Sequence, residues 1–234
     1  MLAYAFLAGG AREPLSTFAW PTPTGAKPGP WVDSAAAPSA AIRGYLVPDL
    51  PYWLDEELWA IELAGTLAER DHVLLAERAR LVRRLESWAE PVAWEFVAAC
   101  ARRVAGRAAA ALREEGRADA ATQLEQAADL GALESAALAA ADQTSAAGTL
   151  AGYVTDVCFY ARDAKVAAHA AGIAAKMSAY ALAGDVEDAR GSERLANERA
   201  WQASWLVDRL GLSDDAGASR AAHDGGPGPA ASGA

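Results

Sequence analysis

Near the start of the chain Leu2, Tyr4 and Phe6 alternate with Ala3, Ala5 and Leu7, the two-residue period of a β-strand. Trp59, Ile61 and Leu63 alternate with Ala60, Glu62 and Ala64 in the same way, and Gly65 marks the expected end of that strand. Further strands are expected over Val73 to Ala76 and over Arg80 to Leu85, although the second of these, RARLVRRL, also fits a helical turn. Asp49 is placed to cap a short helical turn near Pro51 to Glu57. The Pro- and Gly-rich stretch from Pro21 to Pro38 reads as a long loop anchored by Trp20 and Trp31.

At Ser87 the period changes. Ser87 and Glu90 have the spacing of a capping box, and Pro91 is tolerated only near a helix start. Val92, Phe96, Cys100, Val104, Ala108 and Leu112 then recur every fourth residue, which predicts an amphipathic helix of about six turns closed by Gly116. Residues 117 to 142 read as two shorter helices broken near Gly131, and residues 146 to 183 as one long or kinked helix ending at Gly184. A last helix is expected from about Ser192 to Leu210. Its seam would be Ala196, Ala200, Ala203, Val207 and Leu210, with Trp201 and Trp205 on its flanks. Gly211 and Leu212 then suit a Schellman ending.

These patterns predict an α+β fold that is predominantly α. A small N-terminal sheet module (residues 1–86) precedes an alanine-rich helical bundle (residues 87–212), and a disordered tail (residues 213–234) follows. Alanine buries little area per residue, so such a bundle depends on close helix packing, with the tryptophans supplying large apolar surfaces.

The balance of 31 acidic against 21 basic residues, a formal charge of −10, disfavours nucleic acid and anionic membranes as partners. The two cysteines, Cys100 and Cys158, lie in alanine-rich helical patterns and form neither a disulfide framework nor a zinc spacing. The apolar start MLAYAFLAGG lacks a basic flank and is too short to span a bilayer, so a cytoplasmic location is expected.

The chain carries no phosphate loop, dinucleotide fingerprint, nucleophile elbow, zinc-protease motif or calcium loop, and no cofactor or metal is expected. Two constellations stand out. In PDLPYWLDEELWAIEL, aromatics lie beside carboxylates, and strand alternation turns Glu62 away from the face of Trp59. A pocket using Trp20, Tyr45, Tyr52 and Glu62 would suit a ligand hydroxyl or a cation, whereas an ordinary edge strand with one wet face explains the same pattern. The second constellation is Tyr153, Asp156, Tyr160 and Asp163, whose 3-4-3 spacing places them on one helix face, with His169 in a neighbouring basic stripe. A solvated face with local ion pairs is the plainer reading there.

Several segments resemble an uncharacterised family of actinobacterial and phage-borne proteins: FAWPTP, PGPWV, DLPYWLDEELWAIELAG, ARLVRRLESW and the C-terminal ERAWQASWLVDRLGL. That family carries a Cys-x-x-Gly-x-His-Ala-Cys segment before the Asp-Leu-Pro-Tyr-Trp stretch. Here AAIRGYLVPD keeps Gly44 but lacks the Cys and His residues. The resemblance implies an architecture and no activity. More distantly, the N-terminal order of elements resembles ADP-ribosyltransferase-like folds, and AAHAAGIAAKMSAY resembles helices of bacterial immunity proteins.

The leading expectation is therefore a non-enzymatic accessory or protein-binding protein, immunity-like or regulatory. The alternative is an enzyme or small-ligand binder with a pocket between the N-terminal sheet and the first long helix. Self-association into a homo-oligomer through alanine seams is a third reading.

Overall fold

A computed structural model describes residues 1–37, 42–184 and 189–212; the expected tail, residues 213–234, lies outside the described residues. Strand β1 (Leu2–Leu7) pairs antiparallel with β4 (Glu57–Arg70), and β4 forms a hairpin with β5 (Val73–Arg84). The hairpin turns on Asp71 and His72, both at positive φ (47° and 66°), as a two-residue turn between twisted strands requires. Two short strands, β2 (Val32–Asp33) and β3 (Ile42–Gly44), pair one after the other along the far edge of β5. Tyr45, directly after β3, exchanges backbone hydrogen bonds of 2.9 and 2.7 Å with Tyr4 on β1. The order β1-β4-β5-β3 thus returns to β1, and the sheet closes on itself. Gly44 makes this possible, since a Cβ there would stand 2.9 Å from the Leu63 side chain.

Closure gives the strands two apolar faces. Ala3, Ala5, Leu7, Trp59, Ile61, Leu63 and Leu81 fill the interior with Trp20 and Ile42, while Tyr4, Phe6, Leu58 and Ala60 face the helices. The expected alternation at Trp59 holds. Gly65, however, does not end β4. At φ 84° it opens a bulge in which Gly65 and Thr66 oppose the single residue Glu77, and β4 continues to Arg70. The two strands expected between Val73 and Leu85 are likewise one strand, and RARLVRRL is extended. The turn near Asp49 is a 3-10 helix over Val47–Tyr52 whose N-cap position is Leu46; Asp49 lies inside it and pairs with His72 instead.

Among the described residues six α-helices follow. The first, α1 (Glu90–Glu114), buries the whole expected stripe from Val92 to Leu112. It buries a second stripe as well, because α4 and α5 both pack against it. The capping box does not form. Ala89 occupies the N-cap position, and the Ser87 hydroxyl donates to the Leu210 carbonyl. Gly116 ends the helix at φ 79°, with the Arg117 N–H returning to the Leu112 carbonyl. Helices α2 (Ala118–Gln126) and α3 (Leu130–Ala140) are separated by residues 127–129, just before Gly131, and the Asp129 side chain caps α3.

The stretch from 146 to 183 is two helices, α4 (Ala146–Asp163) and α5 (Ala167–Ala183), broken at Ala164 and Val166, both extended. None of the glycines marks this break. Folding back lets both helices lay their small apolar faces on α1, a tertiary gain that outweighs local helix propensity.

Helix α6 (Ala189–Leu210) ends as expected, with Gly211 at φ 64° and the Leu212 N–H on the Val207 carbonyl. Its buried face is the expected seam only in part. Of the seam, Ala203 and Leu210 are buried but Ala196 and Ala200 are exposed, and the other buried residues of the helix are Gly191, Glu198, Arg199, Gln202 and Leu206. One apolar cluster runs from Tyr4 and Phe6 through Trp88 to Leu210, so the sheet and the bundle share a core. Phe6 meets Trp88 edge-on at 5.5 Å, and the Trp88 indole N–H donates to the Asp55 carbonyl at 2.8 Å. No helix among the described residues is long and apolar enough to cross a membrane.

Candidate functional site

The four residues of the expected pocket lie in four different surroundings. Trp20 is buried inside the closed sheet, and its indole N–H donates to Glu13 at 2.9 Å. Tyr45 is buried on the outer face and stacks on Trp53, with ring centroids 5.2 Å apart; burial pushes its phenol well above the ordinary range. Tyr52 is sandwiched between the His72 ring at 4.1 Å and the Arg199 guanidinium at 4.4 Å. Glu62 lies opposite Arg80 on the neighbouring strand and accepts a 2.7 Å hydrogen bond from it. Arg80 in turn covers the Trp31 ring at 4.6 Å. Glu62 therefore belongs to a wet cross-strand ion pair, an ordinary arrangement on the outer face of a sheet.

The expected polar helix face exists on α4. Tyr153, Asp156, Tyr160 and Asp163 are all exposed, and neither aspartate has an ion-pair partner among the described residues. His169 is exposed too but lies beyond the break, on α5, where its Nε2 stands 3.4 Å from an Asp55 oxygen. Two residues missing from the sequence reading extend the α4 strip. Phe159 packs edge-on against Tyr160 at 5.4 Å, and Leu138 on α3 lines a groove of about 560 Å³ together with Tyr153 and Asp156. Arg162 ties the two helices together by pairing with Glu134 at 2.6 Å. The signal for both was present: a Phe beside a Tyr already placed on the polar face, and a leucine among exposed alanines.

Three polar groupings had no signature in sequence. Asp55, Glu56 and His169 come within 4.8 Å of one another through their carboxylate and imidazole atoms, although His169 lies far along the chain from the adjacent Asp55 and Glu56. Glu57, almost fully buried, accepts from the backbone N–H groups of Gly10 and Ala11 and from the Trp59 indole, each at 3.0 Å, with Arg84 at 3.2 Å. Burial pushes its carboxyl up, but these donors outweigh burial and hold it below the usual carboxylate range.

The third grouping lies on the buried face of α6. Arg199 donates to the Pro51 carbonyl and to Gln202, and Gln202 donates to the Ala175 carbonyl and the Ser178 hydroxyl. Beside them Glu198, 2 % exposed, pairs with Arg103, while its Oε1 has no hydrogen-bond partner among the described residues. Burial raises the Glu198 carboxyl above its ordinary value in spite of Arg103. The two cysteines are buried and their thiols are pushed up to about 12, mainly by burial, so neither is an activated nucleophile. The chain matches no protein-family model, and no curated protein or solved structure matches it.

Proposed function

We propose that this chain is a protein-binding accessory protein whose α3–α4 face docks a basic, amphipathic segment of a partner protein. The observation that carries this reading is the strip of Tyr153, Phe159 and Tyr160, continued by Leu138. These four large apolar side chains are 40 %, 46 %, 49 % and 66 % exposed; Tyr153 and Leu138 line the groove together with Asp156, and Asp156 and Asp163, neither with an ion-pair partner among the described residues, share the helix face of Tyr153 and Tyr160. Aromatic anchors bordered by carboxylates fit an occupant that pairs apolar side chains with Lys or Arg, and the net charge of −10 steers such an occupant toward the protein. The ligand-pocket alternative has less support, because Trp20, Tyr45, Tyr52 and Glu62 do not converge.

The test uses two synthetic amphipathic helical peptides of equal apolar content, one rich in Lys and Arg and the other rich in Glu, measured against the full chain by fluorescence anisotropy. The basic peptide should bind, and its affinity should fall with salt. Tyr153→Ala with Tyr160→Ala should weaken binding by tenfold or more, the loss of one or two anchors. Asp156→Asn with Asp163→Asn should weaken it several-fold and flatten the salt dependence. Equal binding of the acidic peptide, or an unchanged affinity in the tyrosine variant, refutes the reading. So does a chain that sediments as a dimer and becomes monomeric in that variant, since the strip would then be a contact between copies.

A further inference from the structure

A concavity of about 590 Å³ opens between α1, the end of α5 and α6, and its lining includes Arg102, Arg103 and Arg107 from α1 and Arg194 from α6. Four guanidinium groups around one hollow are unexpected on a chain whose net charge is −10. Their obligations differ. Arg102 donates to the carbonyls of Ala127 and Ala128, and Arg103 is held between Glu198 and the Trp201 ring. Arg194 uses its Nε on the Ala183 carbonyl, which leaves its terminal nitrogens without a hydrogen-bond partner among the described residues. Arg107 is exposed and has no hydrogen-bond or ion-pair partner among the described residues. The same lining includes Glu198, the almost fully buried carboxylate whose Oε1 lacks a donor.

We propose that this hollow binds a small phosphomonoester carrying a hydroxyl group, with the phosphate on Arg107 and Arg194 and the hydroxyl donating to Glu198 Oε1. A phosphate dianion matches two guanidinium forks in charge and in geometry. A bare anion would leave the buried Glu198 oxygen unpaired, whereas a ligand hydroxyl satisfies it, and a buried acceptor without a donor is what a native site ordinarily avoids. A cationic ligand is excluded by the arginine wall. The site is separate from the α3–α4 face and does not rest on the protein-binding reading.

Calorimetric titration of the full chain with ribose 5-phosphate, inorganic phosphate and ribose tests the proposal. Ribose 5-phosphate should bind about tenfold more tightly than inorganic phosphate, the worth of one hydrogen bond to a charged acceptor, and ribose should not bind. Arg107→Ala should weaken both phosphate ligands about tenfold. Glu198→Leu, which leaves no polar group to meet the ligand hydroxyl, should bring ribose 5-phosphate down to the level of inorganic phosphate. Inorganic phosphate should still bind this variant, which shows that the hollow is intact. Gly106→Leu supplies a control against misfolding. A Cβ on Gly106 meets nothing within 4 Å, and leucine favours the helix, so this variant should fold at least as stably while its side chain fills the hollow and abolishes binding. The proposal is overturned if neither phosphate compound binds at millimolar concentration, if Gly106→Leu leaves binding intact, or if Glu198→Leu leaves the preference for the sugar phosphate unchanged.

Discussion

Glu57 closes the mouth of the sheet, and its replacement separates charge from hydrogen bonding. One oxygen accepts from the Ala11 N–H and the Trp59 indole, and the other accepts from the Gly10 N–H and faces Arg84. Ala11 and Trp59 are buried, whereas Gly10 and Arg84 reach water. Glu57→Gln can keep its amide oxygen on the buried pair of donors and turn its NH₂ toward the solvated pair. It should cost about 1 kcal/mol, the difference between charge-assisted and neutral hydrogen bonds. Glu57→Ala strands both buried donors, each worth about 1–3 kcal/mol, and should cost about 2–4 kcal/mol after the loop relaxes.

The two variants also differ from the native protein in pH dependence. The folded-state pKa of Glu57 lies below its unfolded value of about 4.3. Its contribution is therefore complete above that unfolded value and is lost as pH falls through the lower folded one. Urea unfolding monitored by tryptophan fluorescence, from pH 7 down to pH 2.5, measures this. The gap between native protein and Glu57→Gln should be constant from pH 7 to about 5 and should then close in acid. A gap that persists unchanged at the lowest pH, or an alanine variant no less stable than the glutamine one, would refute the assignment of Glu57 as an ionised clamp.

Three further outcomes follow from packing and burial. Ala203→Leu should destabilise the fold by about 1–3 kcal/mol through overpacking, because Ala203 is 5 % exposed; a neutral midpoint in thermal unfolding would place it at the surface. Gly65→Ala should cost about 1–2 kcal/mol, since an L side chain is disfavoured at φ 84° and its Cβ would stand 2.8 Å from the Glu77 Cβ; an unchanged urea midpoint would mean that the bulge is not kept. Cys100 and Cys158, buried with thiols pushed up to about 12, should resist alkylation at pH 8 until the chain unfolds, and rapid labelling of the native protein would contradict that.

What was legible in the sequence followed from periodicity wherever one apolar face meets one core. The strand at Trp59 and the stripe from Val92 to Leu112 satisfy that condition. The structure departs from expectation at Gly65 and over residues 146 to 183 for a common reason: a local preference is redirected by tertiary contacts. Gly65 supplies a bulge in place of an end, and residues 146 to 183 break where folding back onto α1 buries more surface. The candidate pocket failed to assemble because strand alternation tells which way Glu62 points but not what lies opposite, and Arg80 was already there.

The buried face of α6 is polar as well as apolar, and this bears on function. Periodicity of apolar residues selects Ala196 and Ala200, whereas the buried face is carried in large part by the polar Glu198, Arg199 and Gln202. Those three are buried only because other elements hold partners for them: Pro51 in the 3-10 turn, Ala175 and Ser178 on α5, and Arg103 on α1. No window of sequence contains these pairings. Polar groups buried in this way demand specific partners, so they set the rotation of α6 about its axis, which apolar contacts among alanines would leave loosely defined. That rotation brings Arg199 over Tyr52 and carries Arg194 and Glu198 into the wall of the arginine-lined hollow. Replacing Gln202 with leucine would remove the link to α5 while preserving volume. If the polar stripe sets the rotation, that change should loosen the hollow and reduce phosphomonoester affinity even though residue 202 lies outside its lining.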